Sequence, residues 1–378
     1  MTRSATGIST LLLLVAALFM SGCATNFGAK GVAPAGFNYN QAIAQTTNEQ
    51  LLLNLVKLRY RDTPVFLEIE SVTTQRTYAT DASIASAFPF SGISDGSSVL
   101  SGGASYVESP TVQYAPLHGE KFASNLLAPI PPETIVLLSS SGWSLERLLL
   151  CCVERVGGLS NAPSASGPTP ANFPDNRAFR EAAEVFRALQ SAEKLHVELI
   201  EQPRASDDDP VQFDTYLVLD DPNDPLSSRL SDILGLRKGG DRFRLVGRGS
   251  HDSNRLLTQD HGDLLIIGRS VLGALYALSH TVDAPETHKT RGLVTTSQST
   301  AGSVSSWQAF HNDLFKVLVS KDEPDTAFVK IKYRDHWFWI DDSDLDSKAT
   351  LNLLVFLVAL QSADGGGAGP LLTLNAGG

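Results

Sequence analysis

Gly92-Ile93-Ser94-Asp95-Gly96 matches the G-x-S-x-G pattern. In a nucleophile elbow that pattern holds a serine strained and exposed between a strand and a helix. Here it falls inside a Ser/Gly-rich stretch with no helical pattern behind it, so it reads as a loop. Asp342-Ser343-Asp344-Leu345-Asp346 has the opening spacing of a calcium loop, but Ser347 and Leu353 stand where Gly and Glu are required. These acids and Ser347 read instead as the cap of a helix start. The acidic turns at Asp207-Asp208-Asp209 and at residues 220–224 read as solvated turns. Eight histidines form no short metal-binding spacing. Cys151 and Cys152 are adjacent, and neighbouring side chains on a helix diverge by about 100°, so they read as reduced helix residues. Arg237, Lys238, Arg242, Arg244 and Arg248 form the strongest basic stretch; with acids around it, it reads as a charged face. No catalytic, cofactor or metal set emerges.

The C-terminal third carries the most informative pattern. Residues 328–333 and 337–340 alternate as two strands around Arg334-Asp335-His336. Val329, Ile331, Phe338 and Ile340 form one side. Lys330, Lys332, Trp337 and Trp339 form the other, where lysine and tryptophan can meet across strands. Outward tryptophans would make a partner face; the competing reading has them covered by a helix or a second sheet layer. The helix that follows, over residues 348–361, is apolar nearly all round, which implies burial or docking.

These residues need a scaffold, and the periodicities supply one. Helical spacing covers residues 38–60, 119–127, 145–156, 175–189 and 270–279. Leu145, Leu148, Leu149, Cys152, Val153 and Val156 share one helix face, and Asp175 is placed to cap the helix carrying Phe179, Ala182, Ala183, Phe186 and Leu189. Strand patterns cover residues 65–78, 106–114, 196–201, 213–219, 242–246, 264–267 and 371–374. Residues 83–105, poor in charge, read as a mobile loop or long hairpin tip joining two of them. A shape of strand, polar turn and helix recurs at residues 134–156, 264–279 and 337–360. This mixed order implies an α+β fold, a mostly antiparallel sheet with several packed helices.

Arg3 is the single charge before residue 29, and Leu11 to Met20 is an uninterrupted apolar run. Ten residues of helix span about 15 Å, half the hydrocarbon core, so the run reads as a secretory signal. With Met20-Ser21-Gly22-Cys23 after it, the segment resembles a bacterial lipoprotein precursor with its lipobox. The resemblance implies cleavage after Gly22, a diacylglyceryl group on Cys23 and N-acylation, with palmitate among the acyl chains. Ala24 implies sorting to the outer membrane, with the body facing the periplasm. The body loosely resembles uncharacterised bacterial lipoproteins. Two acyl chains suffice to hold a protein on a membrane.

The chain has 378 residues, 41 acids against 30 bases, a net charge of −11 and 42% apolar residues. That excludes a wholly disordered chain and disfavours nucleic acid as partner. The reading divides the chain into a signal peptide (1–22), a flexible tether (23–36), a helix-strand region (37–159), a linker (160–174) and an α+β region (175–378), with the last region open to forming one domain with the region before the linker. The expected function is that of a membrane-anchored envelope lipoprotein acting as a binding, scaffold or assembly component. An envelope protein would be its partner. The alternatives are an envelope hydrolase with a dispersed site, and a lipoprotein that stabilises a secretion or transport complex.

Overall fold

Asn161 and Arg269 decide where one helix stops and a sheet begins. In the computed structural model, which describes residues 29–86, 98–117, 120–161, 176–202, 213–247, 262–294, 314–362 and 372–375, the periodic face over residues 145–156 is not one helix. Leu145–Cys152 is helical and Val153–Val156 is a strand. All six apolar face residues are buried, so the face persists while the backbone changes. The reason is local. The Asn161 amide donates to the carbonyls of Leu150 (3.0 Å) and Val153 (3.0 Å). The Arg269 guanidinium donates to Leu150 (3.0 Å) and Cys151 (2.9 Å). A helix end leaves four carbonyls without partners; these two side chains take over those of Leu150 and Cys151, and the Arg269 N–H takes that of Cys152 (2.7 Å).

The chain divides into two units. One comprises residues 48–68 and 114–372. Its helices, after the end of α1 (Ala29–Arg59), are α2 (Glu120–Leu127), α3 (Pro132–Ser140), α4 (Leu145–Cys152), α5 (Arg177–Ser191), α6 (Pro225–Leu234), α7 (Val271–Ser279), α8 (Glu286–Thr290) and α9 (Leu345–Ser362). Its larger sheet orders six strands as β4 (Leu159–Ser160), β3 (Val153–Val156), β8 (Asp263–Gly268), β7 (Arg242–Val246), β6 (Phe213–Leu219) and β5 (Leu195–Glu201). Every pairing is antiparallel except β7 with β8. Strands from both sides of the 160–174 segment share this sheet. The smaller sheet orders β10 (Ala327–Tyr333), β11 (His336–Asp341) and β9 (Leu318–Ser320), antiparallel throughout. The fold is α+β and mostly antiparallel.

The other unit comprises residues 1–47, 69–113 and 373–378. Its sheet orders β1 (Leu67–Ser86), β2 (Ser98–Pro116) and β12 (Leu372–Asn375). β1 and β2 extend well into the stretch expected as a loop, leaving residues 87–97 between them outside the described set.

Four expectations need correction. Helix α1 begins at Ala29, inside the segment read as a tether, although Gly31, Pro34 and Gly36 disfavour helix there. Residues 132–140 are a helix, not a strand: Pro132 occupies its first position, where a missing N–H costs nothing. Thus only residues 264–279 and 337–360 keep the strand–turn–helix shape. The N-cap position of α5 is Asn176, whose amide donates to Asn161 (3.3 Å) instead of capping. Asp175 lies outside the described residues. Helix α6, absent from the sequence reading, has the expected signals: Asp224 accepts from the Leu226 N–H (2.9 Å), Pro225 opens it, and Gly235 closes it at φ +67°. No helix among the described residues is long and apolar enough to cross a membrane.

Candidate functional site

The β10–β11 hairpin turns on Arg334 and Asp335, both at positive φ (48° and 62°). Two-residue hairpin turns of this hand usually carry Asn-Gly or Asp-Gly, because side chains crowd the backbone there. Arg334 is therefore held by its surroundings. Its guanidinium donates to the Asp62 carboxylate (2.8 Å) and lies over the rings of Tyr60 (4.9 Å) and Tyr333 (5.6 Å). The Tyr333 hydroxyl donates to the same carboxylate. The His336 Nδ1 sits 3.0 Å from the Arg334 carbonyl, as donor. Burial alone would raise the Asp62 pKa, but the bonds from Tyr333 and Arg334 outweigh it and hold the carboxyl below its ordinary value. The Tyr333 phenol moves up, by burial and by the bond it donates.

Beneath the turn is a buried polar pair. Tyr60, just past the end of α1, has its hydroxyl 2.7 Å from Nδ1 of His288 on α8. Burial pushes the phenol up to about 12, against the pull of Arg334 and Arg59. The phenol keeps its proton, and the His288 tautomer sets which of the two groups donates. Tyr60 meets His288, Tyr333 and Phe338 edge-on at 5.7, 5.8 and 6.1 Å, and the His288 and His336 rings are 4.9 Å apart. The arrangement fastens the hairpin tip to α1 and α8. It can relay a proton only when His288 titrates.

Burial first, then His336, Arg291 and Arg334, lowers the His288 pKa below 6.5. The folded state thus takes up the proton less readily than the unfolded chain. Stability is full above pH 6.5 and is lost as pH falls through the lowered folded value. The urea midpoint is expected to drop on acidification below pH 6.5, and His288→Asn is expected to flatten that drop. An unchanged slope in the variant would exclude His288 as its source.

The outer face of the hairpin gathers the residues the alternation places there. Lys330 pairs with Trp339 and Lys332 with Trp337 across the strands, while Trp337 and Trp339 face Ser320 and Leu318 of β9. The ammonium groups of Lys330 and Lys332 each lie 5.9 Å from the Trp337 ring centre. Lys330 also pairs with Glu323 (2.9 Å) and donates to the Pro324 carbonyl (3.2 Å). Lys332 is exposed; both tryptophans are half-buried. Trp339 Nε1 is buried with no hydrogen-bond partner. On the opposite face Val329, Phe338 and Ile340 are buried, with Ile331 packed partly against them.

The remaining candidates separate. Asp344 accepts from the Ser347 N–H (3.0 Å) and hydroxyl (2.7 Å), Asp342 pairs with Lys348 (2.7 Å), and Asp346 with Arg147 (2.6 Å). The acids thus cap α9 and tie it down, and no group of three metal-ligating residues converges among the described residues. Arg242 pairs with Glu198 (2.7 Å), Arg244 with Asp263 (3.1 Å) and Lys238 with Asp232 (3.4 Å). Within the described residues, these three members of the basic stretch are each paired with an acid, as on an ordinary charged face. Cys151 and Cys152 are buried free thiols; the Cys151 contact and burial both push the Cys152 thiol up. His196 is exposed between Glu198 and Asp220. α9 buries Leu351, Leu353, Leu354 and Leu357 but exposes Phe356 and Leu360. Cys23, Gly92 to Gly96, Asp207 to Asp209, Arg248, His251 and His261 lie outside the described residues. Sequence reasoning missed the Tyr60–His288 pair and the Asp62–Arg334 clasp. The one available signal was a hairpin turn without glycine. Comparison with family models, with curated proteins and with solved structures finds no match for the chain.

Proposed function

We propose that this chain is a lipid-anchored protein of the bacterial outer membrane, facing the periplasm. Its body binds another envelope component through the outer face of the β9–β11–β10 sheet. One observation carries the binding role: Lys330 and Lys332 flank the half-buried Trp337 ring on a sheet whose other face is packed. A rigid aromatic with cations beside it contributes large contact area at small entropic cost. The anchor is supported by the apolar run from Leu11 to Met20 and by Cys23 after Met20-Ser21-Gly22.

The test is crosslinking in the native envelope, wild type against Trp337→Ala with Trp339→Ala. A defined partner is expected with the wild type, its recovery falling roughly tenfold or more in the double variant. Undiminished recovery, or a double variant that no longer folds, would overturn the binding role. Fatty-acid labelling tests the anchor separately: it should be lost in Cys23→Ser, and persistent labelling would overturn it.

A further inference from the structure

Among the described residues β1 is an edge strand, twenty residues long. At about 3.3 Å per residue it reaches about 66 Å, whereas some 9–11 tilted residues cross a bilayer. Its charges are uneven. Glu68, Glu70 and Arg76 fall in its first half, and residues 77–86 carry Asp81 alone. β2 mirrors this: residues 98–107 carry no charge and Glu108 comes next. The two far halves together hold one charge in twenty residues, where a chain with 19% charged residues would hold about four. Tyr78 and Tyr106 stand two positions inside the charged boundaries set by Arg76 and Glu108, the place of an aromatic girdle.

We infer that the far half of the β1–β2 hairpin enters a lipid bilayer and pairs there, edge to edge, with the same hairpin of further copies to close a transmembrane β-barrel. In hydrocarbon every backbone N–H and C=O needs a partner, and only a closed barrel leaves no strand edge open. Among the described residues β1 has a single neighbouring strand, β2, and β12, on the far side of β2, is four residues long. A further copy of the hairpin supplies what the β1 edge lacks. Each copy contributes two spanning strands, so the even strand number of such barrels follows. The smallest, of about eight strands, would need about four copies. Ser, Gly, Ala and Thr dominate these halves; all are small enough to pack strands closely, and Ser and Thr suit a water-filled interior.

This inference goes beyond the proposed function and stands independently of the Cys23 anchor. The test uses the full-length protein and phospholipid vesicles loaded with a small dye. The wild type is expected to release the dye and to crosslink into rings of about four copies or more. Successive strand residues point to opposite faces, so Ala104→Asp with Ser105→Asp puts one charge against lipid in either phase. Dye release is expected to fall tenfold or more in that variant and to survive in Ala104→Thr with Ser105→Thr. Trp143, Trp307, Trp337 and Trp339 all lie outside the hairpin, so unchanged tryptophan emission establishes that the rest of the chain is folded. Retention of the dye by wild-type vesicles, or undiminished release by the aspartate variant, would overturn the barrel.

Discussion

Gly268→Ala should unfold this protein or cost it roughly 3 kcal/mol or more. Gly268 ends β8, and a Cβ there would stand 2.0 Å from the Ile130 carbonyl oxygen and 3.0 Å from its carbon. Both are backbone atoms, so no side chain can swing aside. Nor can the backbone retreat freely: the Ile130 N–H donates to the Arg269 carbonyl (2.9 Å), and Pro129 bridges to Ser270. The measurement is the urea midpoint by tryptophan emission. Gly158→Ala is the control, since a Cβ there meets nothing within 4 Å; it should stay within about 0.5 kcal/mol of wild type. Equal midpoints for the two variants would contradict the close approach.

Arg269→Ala should cost nearly as much, roughly 3–5 kcal/mol. Arg269 is among the largest fully buried side chains, and burial lowers its pKa. Its guanidinium is tolerated because it points at the C-terminal carbonyls of α4, where the helix dipole is negative. Truncation leaves a cavity and removes a charged donor from Leu150 and Cys151. Arg269→Lys keeps the charge but loses the planar fork, and should recover only part of the loss. A change under about 1 kcal/mol for the alanine variant would show that the carbonyls find other partners.

Local pattern makes much of this fold legible. The amphipathic face of α5, with Phe179, Ala183 and Leu189, and the alternation of β6, β10 and β11 identify their elements from residue order alone. Where local signals are short or ambiguous the reading fails. Thr134 to Leu138 suits a buried strand as well as a helix, and only Pro132 tips the balance. Cys152 to Val156 continues a helix face that the backbone abandons, because the side chains that end α4 come from positions 161 and 269. The site divides the same way. Trp337 and Lys332 are strand neighbours, and the alternation puts them on one face. Tyr60 and His288 lie 228 positions apart, and nothing in either neighbourhood announces the other.

The position of β12 sets an order of events for the chain. It shares a sheet with β2 although more than 250 positions separate them, and such distant pairings are slow to form. A chain delivered N-terminus first presents β1 and β2 early and supplies β12 only after the residues of the other unit have arrived. Until then both sides of the long hairpin are open to wrong neighbours. The intervening residues have time to fold before the three-stranded sheet is complete. Completion of that sheet is therefore a late event, which cannot precede delivery of β12 however fast the hairpin forms.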